Sequence, residues 1–219
     1  MKKITLLFSF VLILSASSFA QLKIGLNLSP ALGFNRLQLT DEKSSTTAAT
    51  NGVSLKFIAG PELSFYIGDN YAFTTGIWYV AKRAGFDFTR PDLTTPTLQV
   101  TDPIVYNLQY VQLPATFKLF TNEIATDMKL YFQVGGAVDV KIGEKLKGSK
   151  VKASEAVFKP IDASLIVGSG VELQMGESTY FLIGLRYTRG LINILKDKDP
   201  YKNIDLKSDL VSLDLGIRF

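Results

Sequence analysis

Charged residues recur at alternating positions inside segments that are otherwise rich in apolar side chains. Eight of these charges attract attention: Glu62, Lys118, Asp139, Asp162, Glu172, Arg186, Asp214 and Arg218. Brought together, such groups could form a neutralised ion-pair network, an ion or proton path, or a catalytic pair of carboxylates. Any buried ion cluster needs neutralisation whatever it does, so the ion-pair network is the favoured interpretation.

The chain contains neither histidine nor cysteine. It therefore lacks disulfides, thiolate chemistry, the commonest general base and the usual zinc ligands. Nothing resembles an activated nucleophile with its base, so we expect no enzyme, no cofactor and no metal site. One acidic run offers oxygen ligands of the kind Ca²⁺ binds, although lysines interrupt it and the central glycine of a calcium loop is missing. The run comprises Asp197, Asp199, Asn203, Asp205 and Asp209.

The stretch 209–219, DLVSLDLGIRF, alternates apolar with small or polar residues up to the last position. A period of two gives a strand with one continuous apolar face. Chain ends are usually frayed, yet this one finishes on an aromatic residue that continues the pattern. We expect Phe219 to be a structural member of a closing strand.

Seven further segments show the same period. The eight predicted strands cover residues 22–33, 52–67, 71–88, 105–120, 128–142, 161–173, 180–189 and 209–219. The first, third, fifth and seventh connections are long, and the others are short. Outer-membrane barrels have this asymmetry, with short periplasmic turns, long extracellular loops and an even strand number. We predict an all-β fold, an eight-stranded antiparallel up-and-down transmembrane β-barrel with both termini periplasmic.

The two faces of the predicted strands differ in composition. The apolar face is nearly free of charge, as a lipid-facing wall requires, and the eight charges above fall on the other face. Four of them, Glu62, Glu172, Arg186 and Asp214, are expected at similar depth in the lumen. Aromatic residues near the short turns suggest an interfacial girdle: Phe65, Tyr71, Phe73, Phe117, Tyr180, Phe181 and Phe219. Pro61 and Pro114 each remove a ladder donor and should mark a bulge or a strand break.

The first twenty residues read as a cleaved secretory signal. Lys2 and Lys3 precede an apolar stretch, and Ser18-Phe19-Ala20 offers small residues before Gln21. The mature domain is then 21–219, located in a Gram-negative outer membrane. Without the two lysines, the 24 basic residues fall to 22 against 20 acidic ones, a balance that does not suggest nucleic-acid binding. Outer-membrane lipid and glycolipid are expected partners. The Lys-rich connection 143–160 could contact the phosphates of the glycolipid, or it could simply be a solvated loop.

Four stretches resemble a known family: LKIGLNLSP, AGPELSFYIGDNYAFTTGIWY, YVQLPATFKLF and the terminal LGIRF. They are similar to the PorT-like, porin-superfamily outer-membrane β-barrel proteins common in the Bacteroidetes. The resemblance spans nearly the whole mature chain and implies location more than activity. It also implies that Phe219 acts as a signal for the barrel assembly machinery, and it allows secretion-machine proteins as partners.

Several functions remain open. The favoured one is a non-enzymatic barrel with a side-chain-filled lumen and a structural or loop-mediated binding role. An accessory component of a secretion or transport machine, or a narrow pore, is an alternative. A further alternative is a soluble periplasmic, lipocalin-like barrel that binds an apolar ligand. It requires an apolar inside and a polar outside.

Overall fold

The computed structural model describes residues 22–39, 47–50, 52–91, 99–146, 157–196 and 204–219. Among them, no helix is long and apolar enough to span a bilayer. The strands are β1 (Leu22–Leu39), β2 (Thr47–Thr50), β3 (Ser54–Ile67), β4 (Tyr71–Gly76), β5 (Trp78–Pro91), β6 (Gln99–Ala125), β7 (Met128–Leu146), β8 (Ile161–Gln174), β9 (Tyr180–Gly190) and β10 (Ile204–Arg218).

These strands close into a ring. Every neighbouring pair is antiparallel, and β1 pairs with β10 on one side and with β3 on the other. The strands β4 and β5 are consecutive in the chain and together occupy one strand position of the barrel wall, between β3 and β6. Within the described chain, the short strand β2 pairs only with β5. The wall therefore has eight strands in sequence order, which confirms the predicted up-and-down barrel.

The stagger of the ring fixes its width. One row of paired residues runs from Phe34 on β1 around the barrel and returns to β1 at Ile24. The row therefore returns to β1 at a position 34 − 24 = 10 residues earlier in the strand, and this offset is the stagger of the ring. Eight strands with such a stagger tilt by roughly 40° and enclose a space that side chains can fill.

Each short turn lies within a predicted connection, although β6 extends to Ala125 and shortens the second one. Residues 68–70 turn between β3 and β4, and Gly68 has φ +65°. The turn after β6 places Asp127 at φ 61°. Glycine adopts this left-handed region freely, and aspartate is among the few other residues that tolerate it.

The strands extend further toward the long connections than the alternation predicts. The stretch 89–104 is expected to be loop because of its prolines, but its described residues, 89–91 and 99–104, are strand. Pro91 pairs with Gln99, and Pro103 with Asp87. Proline is tolerated here because this part of β6 lies beyond its pairing with β7. The β6–β7 pairing ends at Leu146, so β6 is an edge strand there in the described chain, and an edge tolerates proline.

The bulges expected at Pro61 and Pro114 are absent from the described wall. Strand β6 keeps its register through Pro114, and its shifts lie at Gln109/Tyr110 and beyond Phe120. At Pro61 the ladder with the next strand is interrupted, and that neighbour breaks at Ile77. The pairs on either side of the interruption are Ala59–Tyr79 and Glu62–Gly76. They are three residues apart on both strands, so the pairing resumes in register.

The outer face is apolar and the inner face is mostly polar. Side chains such as Leu26, Leu55 and Leu185 are exposed by 59%, 76% and 62%. Five of the girdle aromatics, Phe65, Tyr71, Phe73, Phe117 and Phe219, are also exposed. The buried inner positions carry the charges, which is the reverse of what the lipocalin-like alternative requires.

Candidate functional site

The lumen near the short turns holds an ion-pair cluster centred on Arg218. Its Nε donates to Glu62 Oε1 at 2.7 Å, and its Nη1 lies 3.2 Å from Glu172 Oε2. The Tyr66 hydroxyl donates to Glu172 and accepts from Arg218. Lys118 Nζ lies 3.8 Å from Glu62 Oε1. Four strands contribute one ionic group each, so the cluster ties the wall together across its interior.

A second cluster lies next to it and is centred on Arg186 and Asp214. Arg186 Nη2 is 2.7 Å from Asp214 Oδ1, and the same carboxylate accepts from Gln133 Nε2 at 3.1 Å. The Ser29 hydroxyl donates to Asp214 at 3.0 Å. The Arg186 guanidinium also lies over the Trp78 ring, 4.5 Å from its centroid. A cation on an indole face gains further electrostatic stabilisation when it is desolvated.

Nearer the long connections, one lysine joins two carboxylates. Lys82 Nζ lies 2.8 Å from Asp139 Oδ2 and 2.8 Å from Asp162 Oδ2, and all three side chains are fully buried. Sequence reasoning gathered Asp139 and Asp162 but left Lys82 out. The signal was available, because Lys82 has the inward phase of its strand.

The eight predicted charges thus all line the lumen, but they do not form one layer. Glu62 and Glu172 belong to the Arg218 cluster, whereas Arg186 and Asp214 pair with each other. The four were expected at similar depth, and they divide between these two adjacent clusters. Counting residues from the turns ignores the stagger, which decides which side chains meet across the barrel.

An apolar layer covers these charges on the long-connection side. It is formed by inward residues of the wall, by the segment 157–160 before β8 and by the segment 191–196 after β9. Its members include Ile58, Val80, Tyr106, Leu108, Phe158, Ile194, Leu195, Leu206 and Leu210. Phe158 and Leu195 pair with each other by a β-bridge. The segments containing them continue the wall, since Lys141 N donates to Pro160 O and Ile194 N to Leu206 O.

Strand β5 is also held by side chains of β1 and β10, although it pairs with neither strand. Asn35 Nδ2 donates to Arg83 O at 2.9 Å, and Gly85 N donates to Asn35 Oδ1 at 3.0 Å. Ser208 Oγ adds a bond to Arg83 O. Together with the apolar layer, these contacts close the lumen above Lys82.

At the short-turn end the lumen opens into a cavity of about 240 Å³. Lys23, Tyr66, Lys129, Glu172, Gln174 and Tyr180 are among its lining residues. Lys23 Nζ lies 3.3 Å from the centroid of the Tyr180 ring. Tyr180, predicted in the girdle, therefore contributes to a charged mouth.

The described lumen is suited to holding the wall together. Each of its five predicted carboxylates contacts a lysine or arginine. No group of three or more acidic side chains is arranged to hold a metal ion within the described ranges. Of the acidic run considered for Ca²⁺, residues 197–203 lie outside those ranges. Asp205 pairs with Lys207, and Asp209 with Arg36.

The chain terminus completes the ring. Phe219 N donates to Ile24 O at 2.8 Å, and Ile24 N to Phe219 O at 3.2 Å. The prediction that the final residue is a structural member is confirmed. Its recognition by an assembly machinery stays a prediction, and the signal segment 1–20 lies outside the described residues.

Comparison with known proteins gives one family match. Residues 19–196 match the model described as "Outer membrane protein beta-barrel domain". No curated protein matches the sequence significantly.

Solved structures share the fold at low sequence identity. Neisserial surface protein A (NspA) has a TM-score of 0.54 and 12% identity, over 90% of this chain and 96% of that chain. The outer membrane protein OprG from Pseudomonas aeruginosa has a TM-score of 0.50 and 9% identity, over 90% of this chain and 95% of that chain.

Proposed function

Because the chain belongs to the outer membrane protein β-barrel domain family and is an integral outer-membrane protein, we propose that it is a non-enzymatic, non-conducting barrel that binds at the cell surface through its long connections. In this proposal, the signal peptide is removed after Ala20. The short turns and both termini face the periplasm, and the long connections face outward.

The observation that carries this proposal is the filled and covered lumen. Three groups of ion pairs occupy it, from Arg218 through Arg186 to Lys82, and the apolar layer around Phe158 and Leu195 lies above them. Water and ions cross larger barrels through open polar channels, whereas eight strands leave room only for side chains. A narrow pore would need both the ion pairs and the apolar layer to move.

The same contacts argue against catalysis in the lumen. A general acid or base must reach a substrate proton, and a nucleophile needs an adjacent base. Here the carboxylates are buried and engaged by cations, as with Asp139 and Asp162 on Lys82. A binding role on the exposed connections uses the barrel as a rigid support, which is common for loops on a stable scaffold.

Planar-bilayer recording tests this proposal. The purified, folded chain should give no steady conductance steps, while a sixteen-stranded porin measured in the same membranes should conduct. Reproducible steps with the wild-type chain would overturn the proposal in favour of a narrow pore.

The accessory role in a secretion machine remains the second candidate, motivated by the resemblance of LKIGLNLSP and YVQLPATFKLF to PorT-like proteins. Gently solubilised membranes would distinguish the two. A stoichiometric set of co-purifying partners would favour the machine, and repeated isolation of a lone monomer would count against it.

A further inference from the structure

A group of charged side chains lies on the outer wall, where three strands meet near the long-connection end. Side chains alternate along a strand, so Arg36 of β1, Asp209 of β10 and Arg189 of β9 all lie on the outer face of the wall. Nearer the short turns, the same face carries apolar residues. On β10, the exposed residues below Asp209 on that side are Val211 and Leu213.

The height of this group matches the edge of the apolar band. Asp209 is 219 − 209 = 10 residues from the terminal Phe219 along β10. At about 3.3 Å per residue and a tilt of roughly 40°, that is a height of about 25 Å. The apolar band of an outer-membrane barrel is about 25 Å tall. The charged group therefore lies at the headgroup level.

Within the group, the carboxylate is hidden and holds a cation in place. Arg36 Nε and Nη2 donate to the two oxygens of Asp209 at 2.6 and 3.0 Å, and Nη2 also donates to Gly190 O at 2.7 Å. The Tyr187 hydroxyl and the Gly190 amide donate to the same carboxylate. Asp209 is 0% exposed at its side chain, while the Arg36 side chain is 35% exposed.

Two more cations flank Arg36 on the same face. Lys207 lies directly opposite Arg36 in the β1–β10 register, and Arg189 opposite Asp209 in the β10–β9 register. Lys207 pairs with Asp205 at 3.1 Å and stays partly exposed. Arg189 is exposed and makes no ion pair within the described ranges. Three cations against two carboxylates, one of them hidden, leave this surface positive toward the membrane.

We propose that Arg36, Arg189 and Lys207 form a binding site for the phosphorylated headgroup of an outer-leaflet glycolipid. Guanidinium and ammonium groups recognise phosphate by charge-assisted hydrogen bonds, and basic residues beside a membrane attract anionic headgroups. The Asp209 carboxylate acts as a positioning group that fixes the guanidinium plane of Arg36. The physiological setting rests on the proposed orientation, with the long connections in the outer leaflet.

Reconstitution into symmetric phosphatidylcholine vesicles tests the site without depending on orientation, because the added lipid is present in both leaflets. The midpoint temperature of the unboiled-to-boiled gel shift is measured against the mole fraction of added phosphorylated glycolipid. That lipid should raise the midpoint. The same lipid after enzymatic dephosphorylation, or inorganic phosphate alone, should not.

The informative variant is Arg189→Gln/Lys207→Gln, which retains the Arg36–Asp209 pair and should fold. We expect its apparent affinity for the phosphorylated lipid to fall at least about tenfold. The triple variant that adds Arg36→Gln should lose the response entirely. The matched control, Lys23→Gln/Lys129→Gln, removes two cations at the opposite end and should respond like wild type.

Three results would overturn the site: wild-type affinity in the double variant, an equal loss in the control, or equal stabilisation by the dephosphorylated lipid. Stabilisation by inorganic phosphate alone would overturn the lipid as the source of the anion. A failure of the proposed orientation would show instead in the labelling of intact cells described below, and would leave these vesicle results intact.

Discussion

Arg218 and Glu62 lie 156 positions apart in the sequence, and the Nε of the first donates to Oε1 of the second at 2.7 Å inside the barrel. The contact spans the closing strand and β3, with Glu172 of β8 on the other side of the same guanidinium. Both carboxylates are buried, so the arginine neutralises two buried charges.

Removal of Arg218 should therefore be costly. The variant Arg218→Met leaves Glu62 and Glu172 without their main counter-ion, and loss of one partner of a buried pair costs about 3–5 kcal/mol. Urea unfolding of the reconstituted protein, followed by gel mobility, measures the free energy of unfolding. The control Lys129→Gln, at the half-buried mouth, should change it by less than about 0.5 kcal/mol. Equal effects of the two changes would show that the cluster does not stabilise the barrel.

Lys82 offers a test by rescue. Lys82→Met leaves Asp139 and Asp162 buried without their cation, and the free energy of unfolding should fall by about 3–5 kcal/mol. The triple variant Lys82→Met/Asp139→Asn/Asp162→Asn carries no buried charge there and should recover most of the loss. The same urea titration applies. A triple variant no more stable than the single one would contradict the ion-pair interpretation.

Two neighbouring glycines test how tightly the wall packs. A Cβ at Gly135 would meet the backbone of Ala115 and lie 2.6 Å from Thr116 Cα. A Cβ at Gly136 would find Ser164 O at 3.4 Å, an ordinary contact. Gly135→Ala should cost about 1–3 kcal/mol, and Gly136→Ala less than about 0.5. Similar unfolding midpoints for the two variants would mean that the pairing of β6 and β7 is looser than described.

Much of the fold is predictable because lipid and lumen impose opposite chemistry on alternate residues. The period of two located every wall strand and both faces, and turn chemistry at Gly68 marked the first short turn. The expected inward phase of Asp214 and Arg218 is confirmed for the same reason.

The rest depends on contacts that no local pattern reveals. The segments with Phe158 and Leu195 close the lumen without any period of two. The bond from Asn35 to Arg83 joins strands that are not neighbours in the ring. The grouping of charges follows from the stagger, which becomes measurable only once all eight registers are known. The inward direction of Lys82 follows from the period of two, but its two partners do not.

Orientation is testable with single cysteines, since the chain has none. Lys145 is exposed at the long-connection end of β7, and Glu177 is exposed in a short turn. In intact cells, a membrane-impermeant maleimide should label Lys145→Cys and not Glu177→Cys, which should react only after the outer membrane is permeabilised. The reverse pattern would place the long connections in the periplasm.

The most direct measurement of the central claim, an apolar wall in lipid around a filled polar lumen, compares two adjacent positions of the closing strand. Leu213 is exposed on the outer wall and Ser212 is buried in the lumen. A bimane attached to Leu213→Cys in vesicles should be quenched strongly by brominated lipid chains, and one attached to Ser212→Cys only weakly. Strong quenching at position 212 with none at 213, or no quenching at either, would contradict the assignment of the two faces.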